Sequence, residues 1–446
     1  MVESMSDTSD WLVQENIHTI ECLVPDFNGI GKGKSIKAQQ LSGGQIRLPE
    51  AIFGQDITGG WCEDHDLFDV ADIDMVLSPD LSTLVKQPWS NGIAQCLCDC
   101  ESLDGNTLDI APRTILKNII SKFASMGIEL LVAQEAEFYL VEENPDPLLP
   151  LNAATGVSGR QQKSPRSFQL EAMAEYAPFL STLYDYTQVQ GIETSGTVQE
   201  MGQGQLEVNF NHAGALCKAD EMFYFKRVAR QAALDQGYYA TFVSKPMTDC
   251  PGSAMHLHQS LVDIETGKNL FTDGQGGYSE FFYAYLGGLQ RYTPQVMAIL
   301  APNVNSYRRF EGAESCPTNV KWGLDNRTTG FRVPLSGPES TRIENRIPGS
   351  DTNPYLAIAV SLACGYLGIR DQLRPDDPIK ADASDLPYTI PRSLRDSLEL
   401  LQQSDALVEL LGERFVKTYV DLKQREIDAF SRVVTAWERE HLLLTV

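Results

Sequence analysis

Positive charge is scarce in this chain. The 446 residues carry 36 Lys and Arg against 60 Asp and Glu, a net charge of -24 at pH 7. Such a balance repels nucleic-acid phosphates and anionic membrane surfaces, so neither is expected as a partner. Any anion site must be local, which makes clustered arginines unusually informative. Long apolar runs are also missing: none approaches the roughly 18 residues that suggest a membrane span, and the longest, "YLAIAVSLACGYLGI", reads as one buried helix. The opening "MVESMSDTSDWLVQ" has neither the basic nor the apolar region of a signal peptide, and a cytoplasmic location is expected. Nine cysteines at irregular spacing exclude an ordered disulfide framework. In "CLCDC", Cys96, Cys98 and Cys100 alternate as on a strand, about 7 Å apart along one face, too spread for one zinc. No "GxxxxGK[ST]" phosphate loop occurs.

What is present suggests two domains, since 446 residues with 42% hydrophobic content exceed one usual core. The first hundred residues are short apolar or alternating runs broken by Gly, Pro and Asp, after an early helix near 8–16. At Pro112 a helix opens with Ile115, Leu116, Ile119, Ile120 and Phe123 on its apolar face. This places a boundary near 110, giving a small, mostly β unit over 1–110 and an α+β unit over 111–446. Helices are predicted over 168–188, 216–236, 277–298 and 353–372, with two or three amphipathic helices over 392–442.

Chemistry-bearing residues fall on the strands of the larger unit. In "LLVAQEAEFYLV", Glu135 and Glu137 are two apart and point to one face, where they repel unless a cation lies between them. Hard divalent ions such as Mg²⁺ or Mn²⁺ suit such carboxylates. "VQEMGQGQLEVNF" adds Glu200 and Glu207, "SAMHLHQSL" adds His256 and His258, and "TRIENRIPG" adds Glu344. Arg308, Arg309, Arg327, Arg332, Arg342 and Arg346 crowd into forty residues, a local site for carboxylate or phosphate. Carboxylate-held metals beside an arginine cluster suggest phosphoryl transfer from a nucleotide.

These blocks, in this order, resemble the glutamine synthetase family from roughly Gly54 to Pro387. The resemblance implies a small N-terminal β-grasp domain and a large catalytic domain, assembled as stacked rings, a dodecamer, with active sites between subunits. It implies one metal held by Glu137, Glu200 and Glu207 and a second by Glu135, His256 and Glu344, two or three Mg²⁺ or Mn²⁺ ions per site, with ATP as co-substrate. His258, Ser260 and Arg342 would face ATP, Arg327 and Arg332 its phosphates, and Arg309, Arg346, Gly252 and Glu137 the glutamate. Glutamate's γ-carboxylate would attack ATP to give γ-glutamyl phosphate, which an amine displaces, Arg327 stabilising the transfer.

Three departures from the ammonia-using pattern shape the expected substrate. The family's ammonium-binding Asp motif "DGSSxxGW" matches "GQDITGGW" here, with Gly54 at the Asp and Ile57 at a Ser. The flap Glu position is held by Ser315, with Glu314 just before it. Pro251 stands for the Asn of "NGSGMH". Ammonium needs close anionic oxygens, whereas Gly and Ile leave room and apolar surface for an alkylammonium. The expected reaction therefore joins glutamate to a primary amine, a polyamine such as putrescine or a short alkylamine, as in the γ-glutamylpolyamine and γ-glutamylalkylamine synthetase branch. A glutamine synthetase using ammonia, a ligase for another acid, and a non-catalytic relative are the alternatives. Glu314 is the expected general base, and Asp56, Glu63 or Asp64 would supply a distal anion for a diamine. Ser384 occupies the position of the family's adenylylated Tyr, so that regulation is not expected.

Overall fold

Alternating apolar residues build two sheets, and the larger carries the chemistry. The computed structural model describes residues 5–41, 43–311 and 316–446. The first sheet comprises β1 (Thr19–Pro25), β2 (Gly31–Lys37), β3 (Ile46–Pro49), β4 (Asp74–Pro79), β5 (Val85–Lys86) and β6 (Ile93–Glu101). Its order is β2-β1-β6-β4-β3, with β5 also on β6, and only the β1–β6 pair among these is parallel. Cys96, Cys98 and Cys100 are buried in β6, and Cys22 pairs with Cys96 across the β1–β6 register. All nine cysteines are free thiols.

The second sheet comprises β7 (Ile128–Glu142), β8 (Thr194–Gln199), β9 (Gln205–Phe210), β10 (Ala213–Gly214), β11 (Tyr238–Thr241), β12 (Met255–Asp263), β13 (Trp322–Leu324), β14 (Phe331–Val333) and β15 (Ile343–Asn345). Its order is β13-β14-β15-β12-β7-β9-β8, with β10 and β11 also on β7. Fifteen-residue β7 is the hub. Helices Pro112–Ala124, Ala215–Asp235 and Pro354–Arg370 pack together and bury its other side. The last is apolar all round and buried nearly throughout, as expected of a core helix and not of a membrane span. Among the described residues no helix is long and apolar enough to cross a membrane.

Most predicted helices are present, and the differences have local causes. The helix expected over 168–188 is two, Leu170–Ala174 and Ala177–Val189, because Pro178 has no N–H and its ring would clash with the carbonyl of Ala174 in a continuous helix. That expected over 277–298 ends at Tyr292 and tightens into a 3₁₀ turn, Thr293–Val296, at Pro294. The tail holds four helices, Leu394–Gln402, Asp405–Leu411, Glu413–Ser431 and Ala436–Leu442, in place of two or three.

Buried polar contacts fix the two sheets against each other. Arg113, 2% exposed, reaches Asp80 (2.6 Å), Asp99 (2.7 Å) and both oxygens of Asp220 (3.1 and 2.9 Å), while Tyr355 donates to Asp220. Helix Glu413–Ser431 returns to the first sheet's loops, where Lys423 donates to Asn28 and Glu426 accepts from Ile57 N.

Candidate functional site

Register places the predicted carboxylates and histidines side by side. Glu137 lies opposite Glu207 across β7–β9, Glu135 opposite His256 across β7–β12, and His258 opposite Glu344 across β12–β15. Because side chains alternate along strands, all six share one face. His256 Nδ1 lies 3.1 Å and His258 Nε2 2.9 Å from the Glu135 carboxylate, and His256 Nδ1 lies 3.8 Å from Glu344. Arg342 Nε donates to His258 Nδ1 at 3.2 Å, which leaves the ring proton on Nε2 to donate to Glu135.

The charge balance on this face is uneven. Burial, followed by the Glu200 charge, pushes Glu137 up to about 8. Burial and the charges of Glu135, Glu137 and Glu200 push Glu207 up to about 9. Burial raises Glu200 as well. Burial acts the same way on Glu135, but the hydrogen bonds from His256 and His258 outweigh it and hold that carboxyl well below the usual range. Despite burial, His258, Arg346 and His256 hold Glu344 at about 2. Burial and then Arg346 lower His256, which favours the neutral ring that a metal ligand must present. One side of the face is therefore carboxylate-rich and short of cations, with hard oxygens and imidazole nitrogen as donors. A divalent Mg²⁺ or Mn²⁺ fits that donor set. Potential ligand atoms of Glu135, Glu207 and His256 lie within 4.8 Å of one another, as do those of Glu135, His258 and Glu344. Glu135 is common to both groups. Neither group is an expected set: His256 Nδ1 lies 3.1 Å from Glu135 and 3.8 Å from Glu344, yet His256 groups with Glu207, and His258, expected on the nucleotide alone, takes its place beside Glu135 and Glu344.

The arginines divide into two sets. Arg346 NH1 donates to Glu344 Oε1 at 2.6 Å, and Arg332 NH1 to Glu344 Oε2 at 2.6 Å while its Nε and NH2 hold Asp325. Arg309, 2% exposed, donates to Ile347 O, and the Nε atoms of Arg309 and Arg346 are buried without a partner among the described residues. Two such orphaned donors mark a place for an anion. Gly252 makes room here, since a Cβ on it would lie 2.3 Å from Arg309 Cγ. Arg327 and Arg308 are exposed. A cavity of about 350 Å³ opens beside the cluster, lined by Glu135, His258, Ser260, Arg342, Asn211 and His212 among others. His258, Ser260 and Arg342 were expected together on the nucleotide, and all three line it.

Among the described residues, Asp56 and Glu63 are not brought to this face. Glu314 and Ser315 lie outside the described residues. Asp56 is no free anion: its Oδ1 accepts from Thr58 N, Thr58 Oγ1 and Gly60 N. Glu63 is exposed and sits 3.7 Å from Arg425. Sequence reading missed Asn209, whose amide donates to Glu207 at 2.8 Å, and Asp325, the anchor of Arg332. Asn209 had a signal, because it follows Glu207 by two on one strand face.

The catalytic-domain family described as "Glutamine synthetase, catalytic domain" matches residues 109–442. The chain belongs to the glutamine synthetase family. It is 34% identical over 96% of its length to the glutamate–isopropylamine ligase of a Pseudomonas species, covering 95% of that protein. It is 32% identical over 96% of its length to the γ-glutamylputrescine synthetase PuuA of Escherichia coli K12, covering 92%. A glutamine synthetase of Halobacterium salinarum is 30% identical over 97% of this chain and 95% of its own. A solved structure of ligand-free GmaS superposes with a TM-score of 0.84 at 27% identity, over 98% of this chain and all of that one. The fold is therefore the α+β glutamine synthetase fold, and the protein is an ATP-dependent carbon–nitrogen ligase of that family.

Proposed function

We propose that this protein joins the γ-carboxylate of glutamate to a primary amine, a short alkylamine or a polyamine such as putrescine, through γ-glutamyl phosphate. The observation that carries the choice of amine over ammonia is the loop at 54–61. Its one acid, Asp56, is buried and turned into the loop, where Oδ1 accepts from the loop's own N–H and hydroxyl groups, while Ile57 and Trp61 stand half-exposed. A loop offering apolar surface and no exposed carboxylate suits an alkylammonium better than ammonium. The similarity to both amine ligases supports the same reading, and the similarity to glutamine synthetases keeps ammonia as the alternative.

In this reading Arg309 and Arg346, with Gly252 leaving space, hold the glutamate, and the cavity beside His258, Ser260 and Arg342 takes ATP. A glutamate γ-oxygen attacks the terminal phosphorus and ADP leaves, with Arg327 and Arg332 stabilising the charge that moves onto the bridging oxygen. The deprotonated amine nitrogen then attacks the γ-carbonyl carbon and phosphate leaves. Glu314 is proposed to take the amine's proton. Glu137, Glu200 and Glu207, and Glu135, His256 and Glu344, would hold two or three Mg²⁺ or Mn²⁺ ions. Bound there, a divalent cation supplies Lewis-acid stabilisation of phosphoryl charge.

We also place the domain division at 110/111, the location in the cytoplasm, and the assembly as a dodecamer of stacked rings. Support for assembly comes from the tail, where Val433, Val434, Trp437, Leu443 and Leu444 are exposed and uncovered by their own chain. The test of function is ADP and phosphate formation with glutamate and each of several amines: an amine-dependent product with the mass of glutamate plus amine less one water is expected, and product with ammonia alone would refute it.

A further inference from the structure

The turn Pro251–Ser253 packs Gly252 against Arg309 and leads into Ala254, whose N–H donates to Glu137 Oε2 at 2.8 Å, and two buried side chains hold it. Tyr139, fully buried, donates its hydroxyl to Pro251 O at 2.7 Å. Gln205, 1% exposed, directs its Nε2 at Gly252 O (3.0 Å), at Ser253 Oγ (3.3 Å) and at Glu137 Oε2 (3.3 Å). Its Oε1 accepts from Gly202 N at 2.9 Å, and its backbone carbonyl accepts from Glu200 N at 2.9 Å. One amide thus touches the Glu137 carboxylate, the turn that carries Glu200, and the glycine against which Arg309 lies.

Nearby Gln199 shows what an ordinary buried glutamine does: its Nε2 donates to the backbone carbonyls of Glu200, Gly202 and Gln205 and to no site carboxylate. Gln205 differs in spanning both halves. Only an amide matches the set, since its N–H groups face acceptors on one side and its oxygen faces a donor on the other. The contact with Gly252 also has no slack, because Gly252 already abuts Arg309 Cγ and Ser244 O.

We propose that Gln205 is a positioning residue that, together with the Ala254 N–H that donates to Glu137 Oε2 at 2.8 Å, couples the Glu137 carboxylate to the Pro251–Ser253 turn, while Tyr139 holds the turn without touching that carboxylate. The proposal rests on the reading of the site given above, and ligand binding tests it without reference to the amine. Mn²⁺ binding to the metal-free full-length protein, and glutamate binding to the Mn²⁺-loaded protein, are measured by calorimetry for wild type, Gln205→Met and Tyr139→Phe. Gln205→Met should lower Mn²⁺ affinity on the order of 10- to 100-fold, the usual effect of losing a group that orients a metal ligand, and should weaken glutamate at least as much. Tyr139→Phe should weaken glutamate severalfold and leave Mn²⁺ unchanged. Mn²⁺ and glutamate affinities at wild-type level in folded Gln205→Met would overturn the proposal, and so would an equal Mn²⁺ loss in both variants. Should near-UV dichroism show Gln205→Met unfolded, Gln205→Leu, uncharged and unable to hydrogen-bond, takes its place with the same expectations. A wild type that binds no Mn²⁺ overturns the site reading itself as well, which tells the two failures apart.

Discussion

At the residue scale, the site depends on carboxylates that burial alone would neutralise. Glu207 and Glu137 are driven up by burial and by their neighbours, and each would become an ordinary anion only beside a cation. Replacing Glu207 by Gln keeps the shape and removes one donor. Mn²⁺ affinity, followed by calorimetry, should drop on the order of 10- to 100-fold, and metal-dependent ADP formation should fall with it; unchanged affinity would remove Glu207 from the ligand set. Arg346→Lys tests the other half. The guanidinium that holds Glu344 through NH1 while its Nε stays unpartnered is a fork that Lys cannot reproduce. Steady-state kinetics should show the glutamate KM rising, with kcat/KM down by about 2 kcal/mol, roughly 30-fold.

At the element scale, polar contacts between the sheets are as decisive as apolar ones. Removing Arg113 leaves Asp80, Asp99 and Asp220 facing one another with their shared partner gone. Arg113→Met should cost about 3–5 kcal/mol in urea unfolding, where a cost below 1 kcal/mol would show the cluster to be incidental. Asp26, at the turn between β1 and β2, makes a pH prediction. Burial first, against hydrogen bonds from Ile30 N and Asn28 N and the charge of Lys32, raises it to about 6 from an ordinary 3.8. A raised folded value means that its contribution is fully present below about pH 3.8 and is lost as pH rises through about 6. Asp26→Asn should therefore flatten the stability profile between those values and stabilise the protein at pH 8 relative to wild type, by at most about 3 kcal/mol. Thermal melts across pH 4–8 read this directly, and parallel profiles would contradict it.

These elements also show what the sequence made legible. Two-residue spacing put Glu135 with Glu137 and His256 with His258 on one face, because the strand period is local. Register then did the rest: nothing local says that Glu137 meets Glu207 or that His258 meets Glu344, and the family resemblance supplied the first of these groupings but not the second. Gln205 and Asp325 stayed invisible because a glutamine or aspartate matters only through partners distant in sequence, Gly252 and Glu137 for one, Arg332 for the other. Asp56 was opaque for a related reason, since an acidic letter does not reveal that the side chain is buried with one oxygen bonded to its own loop.

At the scale of the whole molecule, the exposed tail and the exposed Ile57 and Trp61 belong to surfaces that one chain leaves uncovered. Truncation after Ser431 should lower the assembled mass seen by light scattering; an unchanged mass would assign the tail no part in assembly. The central claim concerns the acceptor of the γ-glutamyl group. It is tested most directly by supplying glutamate, ATP and Mg²⁺ or Mn²⁺ with ammonia, isopropylamine, other short alkylamines and putrescine in parallel, and reading phosphate release and product mass. Rapid release and a γ-glutamylamide product are expected with at least one primary amine, and far slower release with ammonia. Equal or faster turnover with ammonia, giving glutamine, would contradict it.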